Sequence, residues 1–186
     1  HPTAVIGRMA GTAAVAAFRG LDALTAARAL ALAATQAGGL RGAMGSMAKP
    51  LQVGRAAMDA IHAVELAEAG ADAGLALLAP QGDWISTFVQ DGKADLADLE
   101  VASFGATWAV PHTSFKPYPC LHGVHPSIDA ARGLAGELDV EAIEAVRVYV
   151  APGVSVIARF TSPRSPLEAK FSVTYPVALG LLGYDV

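Results

Sequence analysis

Between Val5 and Phe18 nearly every second residue is Ala or Gly, and side chains this small leave a chain few ways to bury itself. Helices faced with Ala and Gly bring their axes close together, so the first half reads as a tight, largely buried bundle. Gly20-Leu21-Asp22 breaks the first helix. Asp22 is placed to cap a second, which runs to about Ala37 on a stripe of Leu24, Ala27, Leu30, Ala31 and Ala34 and ends at Gly38-Gly39. A Gly- and Met-rich loop, 42–49, leads to Pro50 at a plausible first helical position. The spacing then predicts a helix to about Ala69, stopping at Gly70, and a shorter one over Ala71–Leu78.

Composition changes after about Trp84. Gln90-Asp91-Gly92-Lys93 reads as a linker, Phe104–Val110 as a strand, and Ser127–Leu138 as a helix. Ile143–Val150 alternates, with Ile143, Ala145, Arg147 and Tyr149 on one side, and reads as a second strand. Ser165–Leu182 predicts a last helix that Pro176 should kink or restart. The expected fold is mainly α with an α+β part: residues 1–88 belong to a helical domain and 89–186 to a smaller α+β lid that begins a return to it.

Hydrophobic residues make up 53% of the 186 and charged residues only 16%. So little charge cannot cover a free-standing domain, so the chain is expected to oligomerise or to belong to something larger. The longest apolar stretches, Ala10–Phe18 and Val173–Leu182, fall short of the ~20 residues that cross a bilayer, and no membrane partner is expected. The opening His1-Pro2-Thr3 has no basic leader and suggests a true start elsewhere. One cysteine, Cys120, fits a reducing cytoplasm. A net charge of -4 without a basic cluster argues against nucleic acid.

The candidate chemistry is sparse. The loop before Lys49 is not a P-loop, because Ala48 precedes the Lys and Pro50 follows it. Lys49 stands at a helix start, where a cation is unfavourable unless an anion joins it and the free N–H groups there. Arg55 lies further along the same helix. The plain alternative for Lys49 is an exposed loop lysine. Cys120, His122 and His125, with His112 nearby, invite a zinc reading but match no usual spacing. His125 precedes a helix and could exchange protons near neutrality, or simply cap that helix. Tyr175 is by default a core tyrosine.

Four segments taken in order say more. They are His1-Pro2-Thr3; Ser46-Met47-Ala48-Lys49-Pro50-Leu51 with Gly54-Arg55; Lys116-Pro117-Tyr118-Pro119-Cys120 with His125; and Ser165-Pro166-Leu167-Glu168-Ala169-Lys170-Phe171-Ser172 with Tyr175. Their order and spacing resemble the MmgE/PrpD family, the group of 2-methylcitrate dehydratase-like, cis-aconitate decarboxylase-like and iminodisuccinate epimerase-like enzymes. The likeness spans nearly the whole chain, as a fragment without the family's N- and C-terminal parts. Leu121 departs from the second Cys that many dehydratase-like members carry.

The resemblance implies a helical domain with an α+β lid, a site between them, a homodimer, and lyase or isomerase chemistry on a small di- or tricarboxylate without cofactor or metal. It gives His125, His1 and Lys49 catalytic roles and makes Lys49, Tyr175 and Arg55 substrate-binding. It also implies that the fragment alone is inactive. The competing reading is a catalytically inactive helical oligomerisation module, in which Lys49 would be buried and paired with an acid of its own chain.

Overall fold

Two helix ends in the alanine-rich half are set by residues whose local chemistry fixes them, Gly20 and Asp22. A computed structural model describes residues 1–79, 82–89 and 105–186. Helix α1 spans Pro2–Arg19 and stops at Gly20, whose left-handed backbone lets its N–H turn back to the carbonyls of Ala16 and Ala17. Helix α2, Ala23–Thr35, starts where the Asp22 carboxylate accepts from the N–H groups of Leu24 and Thr25. The Thr25 hydroxyl donates to it as well and contributes most to holding the Asp22 pKa below its usual value. Helix α3, Ala48–Glu68, begins two residues before Pro50, which still sits in the first turn, where its missing N–H costs nothing.

These helices pack through small side chains as expected. Ala16, Ala29, Val64 and Ala67 form a buried cluster, and Ala4, Ala31, Ala33, Ala60 and Ala63 are almost fully buried. A Cβ on Gly11 would lie 3.0 Å from the Cβ of Ala60, so α1 and α3 touch closely there. A charged pair interrupts this packing. Arg8 and Asp59 are both buried, with Nη2 to Oδ2 at 2.7 Å.

The chain divides by its contacts into two units, residues 1–41 with 50–109 and residues 42–49 with 110–186. In the first, the shorter helix expected over Ala71–Leu78 is a 3-10 turn at Leu75–Leu78. Helix α4, Asp83–Phe88, was not expected. Trp84 and Phe88 lie one turn apart with ring centroids at 5.3 Å, the local pair that supports it.

In the second unit, α5 covers His125–Leu134, α6 Pro152–Ile157, α7 Pro166–Ala169 and α8 Thr174–Leu181. Cys120, Val124, Ile128 and Ala158 form its core, and α5 packs on α8. The single helix expected over Ser165–Leu182 is two helices. Ser165 caps α7 by accepting from the Glu168 N–H, and the Ser172 hydroxyl accepts from the Tyr175 N–H to start α8. Pro176 lies in that new first turn, so it restarts the helix rather than bending it.

Among the described residues the fold is helical and no strand forms. Residues 143–150 carry no strand pairing, and Val146 and Tyr149 are exposed. Alternation supplies a strand's two faces but not the neighbour whose N–H and C=O groups complete a ladder. Residues 105–110 likewise form turns and the start of a 3-10 segment. Phe104, the Gln90–Lys93 linker and the remainder of 90–104 fall outside the described residues. No described helix is long and apolar enough to cross a membrane. Much apolar surface is uncovered, with Phe18, Phe115 and Tyr149 each about nine-tenths accessible.

The loop that carries Lys49 is pinned within the second unit. Arg159 donates to the Gly42 carbonyl at 3.1 Å and stacks over the Phe160 ring. Gly45 has φ 85°, and a Cβ there would lie 2.5 Å from Cε2 of Phe160. Gly45→Ala therefore combines backbone strain with a clash, and is expected to cost about 1–3 kcal/mol. A urea titration of the chain checks this; an unchanged midpoint would mean the loop is not held as described.

Candidate functional site

Lys49 is the second residue of α3, and its N–H donates to the Ser46 carbonyl at 3.3 Å. The backbone donor at this position is therefore already used. What Lys49 offers is its ammonium, on a half-buried side chain that makes no ion pair among the described residues. The inactive-module reading required a buried Lys49 with an acidic partner. It meets neither condition.

His125 opens α5 and is almost fully buried, 4% accessible. Val124 and Pro126 flank it at the helix start. The His122 ring stacks parallel to it with centroids at 4.9 Å, and the Tyr118 ring meets it edge-on at 5.2 Å. Its Nε2 is buried without a hydrogen-bond partner among the described residues. Tyr118 is held in turn by Asp129, to whose carboxylate its hydroxyl donates at 2.6 Å. That bond is the main reason the Tyr118 pKa is raised.

Cys120, beside this aromatic group, is buried, and burial pushes its thiol pKa up, partly offset by the charge of Lys116. The Lys116 ammonium donates to the Cys120 carbonyl at 3.1 Å. A thiol kept protonated is a poor nucleophile. Among the described residues no three His, Cys, Asp or Glu side chains are grouped to hold a metal ion.

Tyr175, on α8, is half exposed rather than a core residue. It lines a cavity of about 430 Å³ together with Cys120. Neither Lys49 nor His125 is in that wall. All four residues nonetheless belong to the second unit.

The other two candidates lie in the first unit. His1 precedes α1 as its cap residue, its backbone nitrogen donates to the Gly39 carbonyl at 2.5 Å, and its ring Nδ1 is buried without a partner among the described residues. Arg55 has its Nε 2.8 Å from Oδ1 of Asp59, so part of its charge is already matched, while 57% of its side chain stays accessible. Sequence reasoning missed the Arg8–Asp59 pair, whose partners are 51 residues apart with no local signal joining them.

Comparison with known proteins bears on this arrangement. Residues 1–97 match the model of the MmgE/PrpD N-terminal domain, and residues 118–186 that of the MmgE/PrpD C-terminal domain. The cis-aconitate decarboxylase of Homo sapiens is 27% identical over 188 residues. That of Mus musculus is 27% identical over 192. Both alignments take in 98% of this chain, which spans 38% of the length of each of these curated relatives.

Proposed function

Because the chain belongs to the MmgE/PrpD family, we propose that it is part of a cofactor-independent lyase or isomerase acting on a small di- or tricarboxylate. The reaction is proton transfer next to a carboxylate, leading to dehydration, decarboxylation or epimerisation. Similarity to two cis-aconitate decarboxylases supports the lyase branch. The observation that carries the reading is the buried His125 ring, whose Nε2 has no hydrogen-bond partner among the described residues. A buried polar atom left without a bond is costly, and a substrate group that supplies one removes the cost where proton exchange is needed.

In this reading His125 takes or returns the proton. Lys49 holds a substrate carboxylate and stabilises the enolate-like charge that grows beside it. His1 is a second acid/base, Tyr175 contributes its hydroxyl to the pocket wall, and Arg55 adds positive potential through its accessible edge. Residues 1–88 belong to the helical domain and 89–186 to a smaller lid domain. The protein works as a cytoplasmic homodimer, which would cover some of the apolar surface the chain leaves open.

Lys49→Ala in the intact protein is expected to lower kcat/KM by about 30-fold or more, because a substrate carboxylate would lose its charged partner. Steady-state kinetics on a panel of small di- and tricarboxylates measures this. Unchanged kcat/KM would remove Lys49 from the site.

A further inference from the structure

We propose that Tyr118, anchored by Asp129, is a positioning residue that aims the His125 ring for proton transfer. The proposal deepens the function proposed above, and rests on it in taking His125 as the group that carries the proton. His125 and Asp129 stand four residues apart on α5, and so on one face of that helix. Tyr118 meets both. Its ring contacts the His125 imidazole edge-on, with centroids 5.2 Å apart and planes at 89°. Its hydroxyl donates to Oδ1 of Asp129 at 2.6 Å.

An imidazole at this place needs such a constraint. The torsion that turns the ring about its Cβ–Cγ bond has broad minima, so rotamer preference alone does not aim the nitrogens. Nε2 of His125 has no hydrogen-bond partner among the described residues, so no bond there fixes it before substrate arrives. Packing against other rings is left to set the plane. Of the two aromatic neighbours, His122 is exposed. Tyr118 is half-buried against the core of the second unit and tied down by its hydroxyl. It is the firmer of the two.

The sequence stiffens the base of this brace as well. Tyr118 lies between Pro117 and Pro119. Each proline locks its own φ, and Pro119 disfavours a helical backbone at Tyr118. The Cys120 N–H donates to the Tyr118 carbonyl at 2.8 Å, and the Leu121 N–H to the Lys170 carbonyl at 2.9 Å. The Lys116 ammonium donates to the Cys120 carbonyl at 3.1 Å. With backbone, ring and hydroxyl each restrained, little ordering is left to be lost when substrate binds.

The test follows α-proton exchange in the intact protein, at saturating substrate drawn from the di- and tricarboxylate panel. Tyr118→Phe keeps the ring and loses the hydroxyl, and Asp129→Ala loses the acceptor. Each is expected to slow exchange about 10-fold, the worth of one hydrogen bond to a charged group, with KM within about 2-fold. The double variant should be no slower than either single one, because both remove the same bond. Asp129→Asn retains an acceptor oxygen and should return exchange to within about 3-fold of wild type. Asp129 is exposed, so its two variants should keep the wild-type circular dichroism spectrum whatever Tyr118→Phe does to folding.

A second readout needs no turnover. In protein isotopically labelled at histidine Cε1, the His125 NMR line is identified by its loss in His125→Gln. Tyr118→Phe and Asp129→Ala should shift or broaden that line, and Asp129→Asn should bring it back. Normal exchange in both Tyr118→Phe and Asp129→Ala, losses that multiply in the double variant, a rise in KM at constant exchange, or an unmoved His125 line would each overturn the proposal. Failure of the proposed function shows separately, in the wild type. If no carboxylate exchanges its α-proton there, the lyase or isomerase reading falls and the His125 line decides whether Tyr118 holds the ring. If exchange depends on His125 but runs normally without the Tyr118–Asp129 bond, the function stands and the brace falls.

Discussion

Asp59→Ala is expected to destabilise the chain by about 3–5 kcal/mol, because it leaves the Arg8 guanidinium buried without a counter-charge. Arg8 and Asp59 are each 4% accessible, with 2.7 Å between Nη2 and Oδ2. Arg8 Nε and Nη1 are already buried without a partner among the described residues, so Asp59 supplies its only side-chain bond there. Removing the other side should cost less. After Arg8→Met, Asp59 keeps Arg55 at 2.8 Å and that residue's access to water. The double change Arg8→Met with Asp59→Leu should recover most of the loss, since well-packed apolar side chains often replace a buried pair without penalty. Urea denaturation of the three variants at neutral pH measures the series. An Asp59→Ala change within about 1 kcal/mol of wild type would show that water reaches Arg8.

That pair also marks how far the sequence could be read. Asp22 as a cap, Gly20 and Gly70 as stops and the small-residue packing of α1 to α3 were legible, because each depends on neighbours within a few residues. Pro176 was legible as a break, either a kink or a restart, but the Ser172 hydroxyl that starts α8 was not singled out. The helical segments Pro152–Ile157 and Asp83–Phe88 were missed, being six residues each and too short for a period to show. The reverse error fell on 143–150, where alternation was real and a ladder partner was not among the described residues.

The candidate site divides along the same line. Lys49, His125 and Tyr175 were singled out as candidates by residue type and motif order, whereas what surrounds each was not. Stacking of His122 on His125, the Tyr118 edge and the Tyr118–Asp129 bond link residues three to eleven apart through side-chain direction. Only the folded chain sets Cys120 and Tyr175 around one cavity.

His125→Gln is expected to lower the exchange of a substrate α-proton by roughly 10²–10⁴-fold in the intact protein, while KM moves by no more than about 3-fold. Glutamine keeps a polar group of similar reach but cannot accept and return a proton. A residue that only holds substrate would show the opposite split, with KM rising and exchange at saturation preserved. Deuterium incorporation from heavy water, followed by NMR at saturating substrate, reads the exchange step without waiting for product. The variant must also stay folded. His125 is buried against Tyr118 and His122, so His122→Gln serves as the paired control: it loosens the same stack yet should retain most of the exchange. Equal losses in both variants would reduce His125 to a packing role, and normal exchange in His125→Gln would move the proton transfer to another group.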